Sequence, residues 1–385
     1  MRQSHCTITP SLVRSLAHAA LSTALPWTPY GQFVTVLRLL DLLLLVAALR
    51  SSLSAVVRRF AWGFSHETAR KALRAHLADR DRLTDGLVAA LHRFGRRLKR
   101  RAWVAAIDLH YRPFYGDRRA RGVVGGQKKQ GTKYFYAYAT AALVHKRHRY
   151  TVGLLACDGD RKPHEVVAAL LAQIHRHGLR LRGVVLDSGF DSGDTLLLLQ
   201  EHKLSYAVPL RRKGRGDNRR NACFALPAGT RTEVSWVTEE SRREVTTQAV
   251  VVWRERDRRA AVYAFDGWHP WRAVLKAKAA VRWYRWRFGI ETSYRQLNQL
   301  RGQTTAKDPC YRLLLVGVAL LLRQAWVWLT GALARDRWEE PGAWVGELPL
   351  RRLAEWLADE IRSNYPEDKE IELSRPISLP PELLL

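Results

Sequence analysis

Apolar positions recur at helical spacing through the first hundred residues, and the period then falls toward two. Residues 37–57 are apolar around most of their circumference and predict one buried helix. Ser65 precedes HETARKALRAHL, where a side-chain cap and an early acid predict a helix start. Residues 85–98 predict a further helix that runs into the basic RRLKRR. From residue 102, β-branched and aromatic runs take over. AWVAAIDLH, YFYAYATAALVH and RYTVGLLACD read as strands, the last two joined by the basic turn HKRHR, and GGQKKQGTK reads as a loop. HEVVAALLAQIHRHG predicts a helix stopped by Gly178. LRGVVLD is a buried strand, SGDTLLLLQEHK a helix capped by Ser192, and SYAVPL a strand.

The order β-β-β-α-β-α-β predicts a mixed sheet with helices on its faces, an order that resembles an RNase H-like core. Beyond it, residues 211–264 open with the basic loop RRKGRGDNRRN and continue as three β segments. Residues 281–301 predict a long amphipathic helix, residues 308–330 a buried one, and the acidic, Pro-containing tail holds a helix-like stretch at 344–363. Residues after Tyr365 read as loosely ordered. The expected class is α/β: an RNase H-like mixed sheet with flanking helices, a β-rich insertion and an all-helical N-terminal domain. The expected division is a helical region at 1–100, a core in two parts at 101–210 and 271–330, the insertion at 211–270 and a tail at 331–385. A break at Gly63 between a short helix and a capped basic one outlines a helix-turn-helix. Plain helix packing is the stronger of those two readings.

Charge changes this picture. The 385 residues carry 64 Lys and Arg against 36 Asp and Glu, a net charge of +28. A GC-rich genome can favour Arg over Lys but does not create an excess over acids, so a polyanionic partner, nucleic acid first, is expected. Cys6, Cys157, Cys223 and Cys310 are scattered without a C-x-x-C pair. That argues against a zinc site and a disulfide framework and fits a reducing cytosol. The apolar runs at 37–46 and 313–329 are interrupted by Arg38 and Asp41, and by Arg323 and Gln324. Both read as core helices, with no membrane span expected.

Three acids stand out. Asp108 ends one apolar run, Asp187 ends another, and Glu291 is the only acid in the helix at 281–301. On that helix Tyr284, Arg287, Glu291 and Asn298 fall within an arc of roughly 60° at about 100° per residue. Carboxylates at strand ends along one sheet edge converge on a common crevice. Brought together they repel each other and suit a hard divalent cation. Each acid also has a structural reading. Asp187 can be a cap or turn residue, like Asp191 and Asp194; Asp108 can pair with an arginine; Asp158 and Asp160 form a competing turn.

IDLHYRPFYG, VVLDSGFDS and YRWRFGIETSYRQLNQLR resemble the three catalytic blocks of DDE transposases of bacterial and archaeal insertion sequences. The last is similar to the signature Y-x2-R-x3-E-x6-K at Tyr284, Arg287 and Glu291, while Asn298 stands where the signature has lysine. The resemblance covers roughly residues 35–330. It implies that Asp108, Asp187 and Glu291 hold two Mg²⁺ ions, with Mn²⁺ as substitute. It implies DNA cleavage at transposon ends and strand transfer into target DNA, with a homodimer on terminal inverted repeats, in the cytoplasm and associated with the nucleoid. Tyr284 and Arg287 would contact DNA phosphates. Asn298 can hydrogen-bond a DNA phosphate or base edge but brings no charge, so either the lysine is dispensed with or Arg295 or Arg301 supplies the charge. Lys128, Lys129, Lys133, Arg211, Arg212, Lys213 and Arg215 form basic loops expected to follow the DNA backbone. Trp236, Trp253, Trp268 and Trp271 read as core residues. Two rivals remain open: an RNase H-like metal nuclease without strand transfer, and a catalytically inactive DNA-binding derivative.

Overall fold

The computed structural model describes residues 7–77, 79–145, 148–159, 161–213, 219–254, 259–266, 277–336 and 347–367. Asp160, Arg215, Trp268, Trp271, the tip of the HKRHR turn and the tail beyond residue 367 lie outside the described residues.

Five helices come first: α1 (Pro10–Ser22), α2 (Val36–Ala48), α3 (Leu53–Arg59), α4 (His66–His76) and α5 (Arg80–Arg93). The single helix expected over 37–57 is two. Arg50 takes a left-handed φ of 53°, and the Ser52 hydroxyl accepts from Ala55 N at 3.1 Å, so a polar pair restarts the helix. Ser65 caps α4 as expected, its Oγ accepting from Thr68 N at 3.1 Å. The helix expected over 85–98 starts earlier, at a cap on Asp79, and gives way to a 3₁₀ turn at Arg96–Arg100.

The sheet then begins: β1 (Ala102–Pro113), β2 (Val124–Lys129), β3 (Thr132–His145) and β4 (His148–Cys157). Next come α6 (Pro163–Arg176), β5 (Arg180–Leu186), α7 (Gly193–Glu201), β6 (Ser205–Pro209) and the short α8 (Arg219–Ala222). β7 (Arg231–Val237), β8 (Glu244–Arg254) and β9 (Arg259–Asp266) precede α9 (Ala277–Leu297), α10 (Pro309–Asp336) and α11 (Leu350–Arg362). The described strands form one sheet in the order β2-β3-β1-β5-β6-β9-β8-β7, with β4 also on β3. β1, β5 and β6 run parallel; β3 and β9 flank them antiparallel. The class is therefore α/β, a mixed sheet between helices. The strands of 211–270 lengthen this sheet through β9 on β6; they do not form a sheet of their own.

Two expectations change here. The GGQKKQGTK segment is mostly strand, β2 turning into β3, with Val124 and Gly125 paired to Phe135 and Tyr134. β1 does not stop near Asp108. It continues to Pro113 because His110, Tyr111 and Arg112 stay in register with the aromatic run of β3, Tyr138 to Tyr136.

The alternation along β1 sorts its side chains. Trp103, Ala105 and Ile107 face the large core shared with α5, α6 and α10. Val104 and Ala106 face a second core with Val185, Ala207, Phe265 and the α9 residues Trp283, Tyr284 and Ile290. α9 comes close: a Cβ on Gly183 of β5 would lie 2.4 Å from the Trp283 ring and 2.6 Å from Ser205 O. α10 is long and apolar enough to cross a membrane, but 89% of its most apolar window is buried inside the protein. Its Gln324 bonds Thr151 N at 3.0 Å, and Arg323 bonds Gln296 Oε1 at 2.9 Å. Trp253, expected in the core, is 48% exposed because it lies near the outer end of β8.

Candidate active site

Asp108 follows Val104 and Ala106 in the alternation, so its carboxylate enters the layer beneath α9 and is buried. Pairing of β1 with β5 ends at Ile107 and Leu186. Asp108 and Asp187 are therefore the next residues on two adjacent parallel strands, side by side. That is what the sequence pattern anticipated, with the end of the parallel ladder standing in for the strand end. Asp187 also serves the structural role foreseen for it: its Oδ1 accepts from Ser188 N at 2.6 Å and caps a 3₁₀ turn.

α9 brings the third acid. Arg287, buried, donates from Nη1 to Asp108 Oδ2 at 3.0 Å and from Nη2 to Glu291 Oε1 at 2.8 Å. Burial works against the Arg287 charge, but Tyr284 and the carboxylates of Asp108, Asp187 and Glu291 raise its pKa. Asp108 goes the other way. Burial raises its pKa to about 6; Arg287 and the Leu109 N–H oppose this, and Asp187 and Glu291 add to it. Three acids thus share one electrostatic neighbourhood around one guanidinium.

Tyr294 joins α9 to β1 directly. Its hydroxyl donates to the Asp108 carbonyl at 2.9 Å and lies 2.8 Å from Thr140 Oγ1, the residue opposite Asp108 on β3. The His110 ring stacks on it with centroids 4.6 Å apart. Tyr294 is three residues from Glu291, one helical turn, so this contact sets the helix against the strand that carries Asp108. Sequence reasoning passed over Tyr294; its i+3 spacing from Glu291 was the available signal.

An open crevice of about 790 Å³ lies beside these residues, lined by Asp187, Tyr284, Arg287, Phe288 and Glu291 and by Arg211 and Arg212. Arg211 is held there by bonds to Asp191 Oδ2 through its N–H (2.6 Å) and to Ser188 Oγ through Nη2 (2.8 Å). Phe288 is 44% exposed at the mouth. Tyr284 is buried against Tyr263, ring centroids 4.9 Å apart, and burial pushes its hydroxyl up to about 12. It is a core aromatic whose edge forms crevice wall.

The other basic positions are spread out. Lys128, Lys129 and Lys133 are exposed on the β2–β3 hairpin, and Lys129 lies 5.3 Å from the Tyr111 ring centroid. Lys213 lines a neighbouring cleft with Asp194, Trp236 and Glu240. Arg295 is exposed on α9. Asn298 lies just past the last residue of α9 and accepts from Arg112 Nη1 at 2.9 Å, so it is engaged within the protein. Arg301 is half-buried, its Nε without a hydrogen-bond partner among the described residues. The competing acids among the described residues have structural partners. Asp158 takes two bonds from Arg80, at 2.7 and 2.6 Å, which hold it below the usual carboxylate range. Asp191 is paired with Arg220, and Asp194 accepts from Ser241 N at 3.3 Å.

Whether the three acids suit a divalent cation is a matter of donor chemistry. They offer hard oxygen donors from three separate elements, and burial holds the pKa of Asp108 up while Asp187 and Glu291 add to it, so a bound cation would favour its charged form. The Arg287 fork stands in for a cation between Asp108 and Glu291. Among the described residues no three His, Cys, Asp or Glu side chains are closed to ligating distance. The set fits the ion in chemistry and convergence.

Comparison with known proteins bears on the whole arrangement. Curated protein sequences returned no match. Among solved structures, the fold is similar to that of a piggyBac transposase in a cryo-EM synaptic complex with hairpin DNA. The TM-score is 0.60, over 93% of this chain and 81% of that one, at 11% identity, a likeness of fold. The sequence profile of the transposase DDE domain matches residues 106–307, a span that contains Asp108, Asp187 and Glu291. On that match, the chain belongs to the family of transposases with a DDE domain.

Proposed function

We propose that this transposase cleaves DNA at the ends of its element and joins the freed ends to target DNA. Hydrolysis breaks a phosphodiester bond and leaves a 3′-hydroxyl; that oxygen then attacks a target phosphorus and displaces a target 3′-oxygen. Asp108, Asp187 and Glu291 would hold two Mg²⁺ ions, or Mn²⁺ in their place. Bound, the ions supply Lewis-acid stabilisation of the attacking and leaving oxygens. The chain's own residues do the rest. Arg211 and Arg212 offer guanidinium forks to the phosphates that border the reacting one. Tyr294 keeps the Asp108 strand in register with the Glu291 helix. Phe288 gives the crevice mouth an apolar face against which a base can rest.

One arrangement carries this reading: Asp187 and Glu291 line a crevice with Arg211, Arg212 and Arg287, and the buried Asp108 lies next to Asp187 and is bonded to Arg287. Lys128, Lys129 and Lys133 on the hairpin, with Lys213, Arg295 and Arg301, extend a basic surface for terminal inverted repeats and target duplex, and a homodimer would bring two ends together. The protein would work in the cytoplasm, on the nucleoid. The test is end cleavage and joining on the element's own termini with Mg²⁺. Asp108→Ala, Asp187→Ala and Glu291→Ala should each abolish both steps; a variant that still cleaves removes that residue from the site. Precut ends separate a transposase from a nuclease, because only the former joins them. The Arg287 bridge favours one rival, a non-catalytic DNA-binding derivative, and a wild-type protein inert with both Mg²⁺ and Mn²⁺ would establish that rival.

A further inference from the structure

Arg287 does more than border the carboxylates. It bonds one oxygen of Asp108 and one of Glu291 at the same time, at 3.0 and 2.8 Å. The residue is 5% exposed, and its guanidinium carbon lies 5.2 Å from the ring centroids of both Tyr284 and Phe288. A planar fork in that position is held from two sides and from both rings. Removing a buried partner from such an arrangement leaves charge uncompensated. The oxygens it occupies belong to two of the three acids that a divalent ion would need. Arg211, in the same crevice, makes its contacts to Ser188 and Asp191 and bonds neither of these acids.

We infer that Arg287 is a built-in counter-cation that a divalent ion must displace. In the ion-free protein it lies between Asp108 and Glu291 and offsets their mutual repulsion. By the same contacts it holds down the affinity of the site for the ion. The inference rests on the carboxylate-site reading above. Its physical content is competition: the guanidinium and the ion need the same lone pairs, and two cations in one buried site repel. The fork has another anion to turn to once DNA is present, because a phosphodiester matches its geometry.

Mn²⁺ alone is the probe, with binding read by calorimetry and by the loss of the free-ion electron paramagnetic resonance signal. Arg287→Gln should bind Mn²⁺ about ten- to hundredfold more tightly than wild type, the range set by loss of a charge-assisted contact. It should be less stable than wild type without the ion and gain a larger rise in Tm when Mn²⁺ is added. Arg287→Lys, whose point charge can serve one carboxylate but not bridge two, should fall between them and carries the comparison if the glutamine variant does not fold. Arg211→Gln removes one charge from the same crevice and should change affinity less than about threefold. Equal tightening by Arg211→Gln would mean a general field effect and overturn the inference. So would unchanged or weaker binding by both Arg287 variants while Asp187→Asn still abolishes the wild-type signal. Mn²⁺ binding indifferent to Asp187→Asn would instead overturn the carboxylate site, and the inference with it.

Discussion

Replacing Asp108 by asparagine should make the ion-free protein more stable while removing its chemistry. The reason is the position of the side chain. Asp108 is 7% exposed, and burial with the nearby charges of Asp187 and Glu291 outweighs Arg287 and the Leu109 N–H, so its pKa rises from 3.8 to about 6. The folded state therefore binds this proton more tightly than the unfolded state. Between those two values the native chain holds more protons than the unfolded one, so stability falls as pH rises through that window. At about 1.36 kcal/mol per unit, the penalty at neutral pH is about 3 kcal/mol, falling to about 1.6 near pH 5 and about 0.5 near pH 4. An asparagine side chain is nearly isosteric with aspartate and carries no charge, so Asp108→Asn avoids that penalty; its one amide oxygen can accept from Arg287 or from the Leu109 N–H but not both, a loss of about 1 kcal/mol that offsets part of the gain. Chemical denaturation with EDTA present should show the variant stabilised by up to about 2 kcal/mol near pH 7, with the gain shrinking toward pH 4. Mg²⁺ should narrow the difference, because only the wild-type carboxylate gains from the cation. A variant less stable than wild type near pH 7, or a gain independent of pH, would refute the reasoning.

Other positions give separate outcomes. Tyr294→Phe keeps the ring and its stacking on His110 but removes the bond to the Asp108 carbonyl. It should cost about 1 kcal/mol of stability and slow end cleavage about tenfold, and an unchanged cleavage rate with the stability loss present would make Tyr294 purely structural. Gly183→Ala places a methyl group against Trp283 and Ser205 O, which should destabilise the protein by about 1–3 kcal/mol; an unshifted denaturation midpoint would show that α9 can lift freely. Arg220→Ala leaves Asp191 buried with the Arg211 N–H and should cost about 3–5 kcal/mol, read by urea denaturation, with Asp191→Asn in the same background recovering part of it.

Much of the core was legible because its signals are local. The continuous apolar run in AWVAAID marks a strand buried on both faces, and Ser65 and Ser192 cap the helices they precede. Glu291 stood out as a lone acid among arginines. Other features depend on neighbours far along the chain. The break between α2 and α3 turns on Ser52 and a left-handed Arg50, small perturbations inside a run whose hydropathy reads as continuous. The length of β1 past Asp108 depends on pairing with β3, and the strands after residue 211 read as a module because their attachment, β9 on β6, joins residues more than fifty positions apart.

By itself, then, the sequence determined the period of each segment, the excess of positive charge, two acids at the ends of apolar runs and one lone acid in a basic helix, because each can be read without knowing which distant residues meet. Tertiary structure decided which cation those acids meet. Arg287 was readable as a phosphate ligand on a narrow polar stripe beside the apolar side of its helix. Packing α9 onto β1 and β5 buries it instead, between Asp108, 179 positions away, and Glu291, one turn away. Only the fold brings a guanidinium between those two carboxylates, and only the fold gives Tyr294 the Asp108 carbonyl as its partner.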